Sequence, residues 1–166
     1  MSRFEKSVEV GVPVRVAYDK WTQFEDFPRF MEGVERVVQL DDKHLRWTAS
    51  IAGKRKDWEA EIVDQTPDTR IAWKSTQGAE NAGAVFFEAL GQDRTILTLR
   101  MDAEPHGLIE TAGDALGFLQ RQVEGDLKRF KEQIEDTESD SEGWRGEIHG
   151  DDVSPDPAST SGAANR

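Results

Sequence analysis

The feature that most constrains this chain is one long apolar stripe. Leu108, Ala112, Leu116, Leu119, Val123, Leu127, Phe130 and Ile134 recur at steps of three or four, the period of one face of an α-helix. A helix over about residues 108–136 would run roughly 40 Å at 1.5 Å per residue. Such an element crosses a whole small domain, so whatever precedes it must supply a surface long enough to cover the stripe. Gly113, Gly117 and Gly125 interrupt it, each costing about 1 kcal/mol against alanine. Packing rather than propensity must therefore hold the helix, and close approach to a sheet or a bend would account for the glycines.

The preceding residues read as the required surface. In SRFEKSVEV, Phe4, Val8 and Val10 share one face and Arg3, Glu5, Ser7 and Glu9 the other, which is the pattern of a half-buried strand. Pro13 suits the first turn of a short helix carrying Val14, Ala17, Tyr18 and Trp21, because a missing N–H costs nothing there. Phe24, Phe27, Phe30 and Met31 mark a second small helix or helical turn, with Gly33 placed to end it. From Val34 onward, turn signals at Asp41-Asp42, Ala52-Gly53, Pro67-Asp68 and Gly91-Gln92-Asp93 separate segments of period two. Their apolar faces carry Leu45, Trp47, Ala49 and Ile51; Trp58, Ala60 and Ile62; Ile71 and Trp73; Val85, Phe87 and Ala89; and Thr95, Leu97, Leu99 and Met101. The expected fold class is α+β: about seven antiparallel strands, curved around a long C-terminal helix, with two small helices after the first strand. KSTQGAENAG, residues 74–83, reads as a connecting loop, with a lid as the alternative.

Composition removes several functions. Cysteine is absent, which excludes disulfide scaffolds, thiolate metal sites and cysteine nucleophiles. A formal net charge of −12 repels a phosphate backbone, so no nucleic-acid partner is expected. No run approaches the ~20 apolar residues that span a bilayer, and MSRFEKSVEV has no apolar run behind its charges; a cytoplasmic protein without a transmembrane segment is the expectation. Residues 1–136 are expected to form the folded domain. Residues 137–166 are acidic and rich in Ser, Gly and Pro, the composition of a disordered tail. Within it Trp144 and Ile148 have either a docking role toward a protein partner, a site on the domain's own surface, or no role.

Candidate chemistry is sparse. Asp57, Glu59 and Glu61 alternate with apolar residues and read as a solvated face. His44, His106 and His149 are too scattered for a metal triad, so neither a metal nor a cofactor is expected. There is no nucleophile elbow and no phosphate-binding glycine loop, and no catalytic residue is assigned.

The element order, together with WTQFEDFPRFMEGVERV at 21–37, PDTRIAW at 67–73, GAVFFEAL at 83–90 and the Pro105 and Gly107 lead-in to the last helix, resembles the START-related helix-grip superfamily. Within it the chain is similar to the polyketide cyclase/dehydrase, or coenzyme Q-binding-like, branch. The resemblance implies a seven-stranded sheet gripping the last helix and a cavity between them for an apolar ligand. Phe27, Phe30, Trp47, Trp58, Ile62, Trp73, Val85, Phe87, Leu97, Leu99, Met101 and Leu116 are the expected cavity residues, with a filled core as the alternative. A lipid, isoprenoid or polycyclic ligand is the leading functional expectation. A polyketide cyclase or dehydratase, and a protein-interaction module using the acidic surface or the Trp144 tail, are the alternatives.

Overall fold

The structure is a computed structural model that describes residues 2–51, 53–103, 114–136 and 144–155. Strand β1 (Ser2–Val10) is followed by helix α1 (Val14–Trp21) and a 3-10 helix (Phe24–Arg29). Six strands come next: β2 (Val34–Gln39), β3 (His44–Ile51), β4 (Lys54–Thr66), β5 (Arg70–Gly78), β6 (Asn81–Ala89) and β7 (Thr95–Ala103). Helix α2 (Asp114–Asp136) and a hairpin, β8 (Glu147–His149) and β9 (Asp152–Ser154), complete the described chain. The main sheet is antiparallel throughout, in the order β1-β7-β6-β5-β4-β3-β2. This is the expected α+β architecture of a large curved sheet and a long C-terminal helix.

Period-two alternation sets the faces. On β3 and β4 the residues Leu45, Ala49, Ile51, Trp58, Ala60 and Ile62 are buried, and the α2 stripe residues Leu119, Val123, Leu127, Phe130 and Ile134 are buried in the same core, Phe130 against Trp21 and Phe30. The expected start of the helix near residue 108, with Leu108, Ala112 and Gly113, lies outside the described residues, as do Pro105, His106 and Gly107. At Gly117 and Gly125 close approach to the sheet does not apply: among the described residues the nearest atoms to an added Cβ are Arg121 Nη1 at 3.4 Å and the Arg129 guanidinium from 3.2 Å, both on the same helix. The C-terminal half of α2 is tied to the other layer by polar contacts. Lys131 Nζ donates to the Glu9 carbonyl at 2.9 Å, and Gln133 Nε2 donates to the Arg29 carbonyl at 2.9 Å.

Residues 74–83 are a hairpin rather than a loop or lid. β5 runs to Gly78 and β6 begins at Asn81. Gly78 turns the chain at φ 83, where a Cβ would stand 2.2 Å from the Asp57 carbonyl oxygen.

Residues 144–155 also differ from the expected tail, being ordered as a hairpin on the main sheet. The reason is a mismatch of strand lengths. β3 pairs with β4 only as far as His44↔Glu61, and β4 continues to Thr66, which leaves a row of backbone groups open. β8 fills it, pairing Asp64↔His149 and Gln65↔Ile148. Ile148 is fully buried, and Trp144 packs half-buried against the core. Arg145 lies over the Tyr18 ring, 5.3 Å from its centroid, and reaches Asp19 at 2.5 Å and Asp68 at 2.7 Å. Folding back on the domain is thus the observed arrangement for this part; residues 137–143 and 156–166 lie outside the described residues.

Candidate ligand-binding cavity

Between the inner face of the sheet, the two small helices and α2 lies a cavity of about 110 Å³. Its sheet wall is Leu45, Trp47, Ala49 and Ile51 of β3, Trp58 and Ile62 of β4, Ile71 and Trp73 of β5, Asn81 of β6, and Leu99 and Met101 of β7. Trp21, Phe24, Phe27, Met31, Gly33 and Val34 close one side, and α2 supplies Leu119, Gln122, Val123, Asp126 and Leu127.

The aromatic wall follows from strand register. Trp47 and Trp58 are cross-strand partners, and their rings stack at 5.5 Å with an angle of 9°. Phe27 leans on Trp47 at 5.5 Å. Trp73 is held by a different device. Its indole occupies the space above Gly83, where a Cβ would stand 2.6 Å from the ring, and its Nε1 donates to Asn81 Oδ1 at 2.9 Å. Gly83 is therefore required by the close passage of Trp73. Gly33 serves similarly: a Cβ there would stand 1.6 Å from Gln122 Nε2 and 2.8 Å from the Ser50 carbonyl.

Three polar atoms of the lining residues are buried without a hydrogen-bond partner among the described residues: Trp47 Nε1, Trp58 Nε1 and Gln122 Oε1. Each such atom in a dry site forfeits about 1–3 kcal/mol of hydration. Among the described residues, Asp126 is the ionisable member of the wall. Its Oδ1 accepts from the Glu32 N–H at 3.1 Å and from Arg129 Nη2 at 2.5 Å, and Arg129 Nε donates to the Phe30 carbonyl at 2.8 Å. Burial outweighs these stabilising contacts and pushes the Asp126 carboxyl up to about 6. Asp126 and Arg129 thus clasp residues 30–32, the segment between the 3-10 helix and β2.

Of the expected cavity residues, Phe27, Trp47, Trp58, Ile62, Trp73, Leu99 and Met101 line the cavity, and Phe30, Val85, Phe87, Leu97 and Leu116 do not. Phe30 is spent between Trp21 and Phe130, at 6.1 and 5.2 Å. Phe87 meets the Tyr18 ring edge-on at 5.4 Å, and its strand partner Leu97 is fully buried beside it. Val85 is fully buried in the core, and Leu116 is partly buried against its margin. Gln122 and Asp126 were not anticipated. The available signal was their place one helical step from Leu119 and Val123, where a polar pair spaced i, i+4 widens the stripe.

A sheet wrapped on a terminal helix with a cavity between them defines a helix-grip protein. The family model described as polyketide cyclase/dehydrase and lipid transport matches residues 10–132, and the chain belongs to that family. It is 50% identical over 149 residues to an uncharacterized 17.2 kDa protein of Streptomyces lincolnensis, covering 89% of this chain and 99% of that one. A Deinococcus radiodurans protein of known crystal structure is 32% identical, with a TM-score of 0.62 and coverage of 81% of this chain and 98% of that one. The fold is shared with a START superfamily protein from Mycobacterium smegmatis, at 19% identity, TM-score 0.68 and coverage of 80% and 98%. It is shared equally with a Streptomyces aromatase/cyclase, at 16% identity, TM-score 0.68 and coverage of 86% and 98%. Among the described residues no helix is long and apolar enough to cross a membrane.

Proposed function

We propose that this protein binds an apolar small molecule in the cavity, one ring of which lies against the stacked Trp47 and Trp58. The carrying observation is a cavity of about 110 Å³ between sheet and helix, walled almost wholly by apolar and aromatic side chains. That volume accommodates roughly one six-membered ring, so a larger lipid, isoprenoid or polycyclic molecule inserts one end. Native mass spectrometry of the purified protein, followed by organic extraction, tests the reading. A reproducible bound apolar mass is expected, and it should be lost in Ala49→Leu, which fills the void from β3 while keeping the side chain apolar. A clean apo mass, together with no thermal stabilisation by any apolar ring compound, sinks the proposal.

Asp126 motivates a second reading, an enzyme of the cyclase or dehydratase type. A carboxyl on the cavity wall that titrates near 6 can take a proton from carbon beside a carbonyl at neutral pH. Cyclisation of a short poly-β-ketone, faster than in buffer and abolished in Asp126→Asn, is the expected result on this reading. Turnover unchanged by that substitution removes it.

A further inference from the structure

The cavity wall is not equally well held all round. We infer that the ligand passes through the seam between residues 30–34 and helix α2, and that Asp126 and Arg129 form the latch that holds this seam closed. This rests on the proposed binding function.

On the sheet side the lining residues stand on β3 to β7, each hydrogen-bonded to a strand on either side, so an opening there would break a backbone ladder. Where residues 30–34 meet α2 there is no ladder, because a helix keeps its backbone bonds to itself. Met31, Gly33 and Val34 line the cavity, while Glu32 is exposed and Gly33 and Val34 are partly exposed. A single run of chain therefore separates the cavity from solvent. Its hinge is on the β3 side, where the Gly33 carbonyl accepts from the Ser50 N–H at 2.7 Å. Beyond it the pairing of β2 with β3 shifts register between Val34 and Arg36, which weakens the ladder locally. On the α2 side Gly33 has no side chain to interlock with the helix, and the polar ties belong to two residues. Asp126 accepts from the Glu32 N–H at 3.1 Å, and Arg129 donates to the Phe30 carbonyl at 2.8 Å and faces the Glu32 carboxylate at 3.4 Å. The exposed Glu32 pair contributes little; the two charge-assisted bonds to backbone supply the hold. Gln133, which holds the Arg29 carbonyl at 2.9 Å, lies beyond the strip and stays as its anchor. Strand β1, which α2 also packs against, contributes no lining residue among the described residues.

The chain has no cysteine, so a reversible lock can be set across the seam. In the full chain carrying Glu32→Cys and Arg129→Cys the latch is lost, and a short bis-methanethiosulfonate reagent bridges the two thiols until dithiothreitol releases it. Fluorobenzene, a single ring, is the probe, and fluorine-19 exchange NMR reads its entry and exit rates and its Kd. The reduced variant is expected to exchange the probe about tenfold faster than the wild type, the equivalent of one net charge-assisted hydrogen bond. Entry and exit should rise together with Kd unchanged, since the latch is broken in the empty and the filled protein alike. Bridging should slow exchange to below the wild-type rate, and reduction should restore it. If the double variant does not fold, Arg129→Gln alone decides by the same equal rise in both rates. A change in Kd carried by one rate alone would mean that Arg129 shapes the cavity rather than latching it, and overturns the inference. Bridged and reduced forms that exchange alike place the passage elsewhere, which overturns the inference and leaves apolar binding intact. No bound signal in any form, wild type included, overturns apolar binding and the portal with it.

Discussion

Strand β7 crosses two regions that share one alternation and differ in how they are filled. Its inward residues Thr95 and Leu97 are fully buried at the α1 end. There Thr95 Oγ1 donates to the Val12 carbonyl at 2.9 Å and Leu97 pairs with Phe87 beneath Tyr18. Two and four residues beyond Leu97, Leu99 and Met101 face the cavity. The same residue types on the same face thus serve as packed core at one end and as a ligand wall at the other. What separates them is what stands opposite: α1 descends onto β6 at the packed end, and among the described residues no comparable element fills the space between Trp58 and α2.

Two leucines one pleat apart offer the largest contrast. Leu97→Ala should cost about 2–5 kcal/mol, because a fully enclosed side chain leaves a cavity behind. Leu99→Ala should cost less, because Leu99 already borders a void and gives up fewer contacts. Urea denaturation of both variants measures the difference. Equal losses would mean that the cavity end is packed as tightly as the α1 end, and the comparison would fail.

The pH dependence sharpens the same contrast, since Asp126 stands on the cavity wall. Its folded pKa, about 6, lies above the 3.8 of a free carboxyl. The folded state therefore holds the proton more tightly than the unfolded chain. This contribution to stability is complete below about pH 4 and is lost as pH rises through 6. A displacement of about two units corresponds to at most ~3 kcal/mol. Subtracting the stability curve of Asp126→Asn from that of the wild type, pH 4 to 7, should expose a wild-type decline of that sign. A flat difference would mean that the Asp126 carboxyl is hydrated and the wall wet.

Much of this was legible in the sequence because alternation and helical period report faces. The order of strands, the two small helices and the Trp47, Trp58 and Trp73 wall all follow from side chains sharing a face. Alternation says nothing of position along a strand, and for that reason Phe87 and Leu97 were indistinguishable from Leu99 and Met101 until α1 was placed. Gln122 and Asp126 are polar and so fall outside an apolar stripe, which is all that helical period reports. The hairpin at residues 144–155 was hidden for another reason. Its strands have three residues each, too few to show a period, and the open edge it covers exists only through the length difference between β3 and β4.

The smallest effect concerns α2, which spans both regions. The sequence suggests close approach to the sheet or a bend at these glycines, yet among the described residues a methyl group at position 117 would meet only the end of the flexible Arg121 side chain at 3.4 Å. Among the described residues nothing from the sheet comes within 4 Å of that position. Gly117→Ala should therefore stabilise the protein by about 0.5–1 kcal/mol through helix propensity and reduced unfolded-state entropy, seen as a rise in Tm with unchanged affinity for a cavity ligand. Gly125→Ala should gain less, because Arg129 lies within 3.2 Å and is held by Asp126 and the Phe30 carbonyl. A loss of stability at Gly117 would show that the N-terminal half of α2 must bend or move, and the cavity end would then differ from the packed end in mobility as well as in filling.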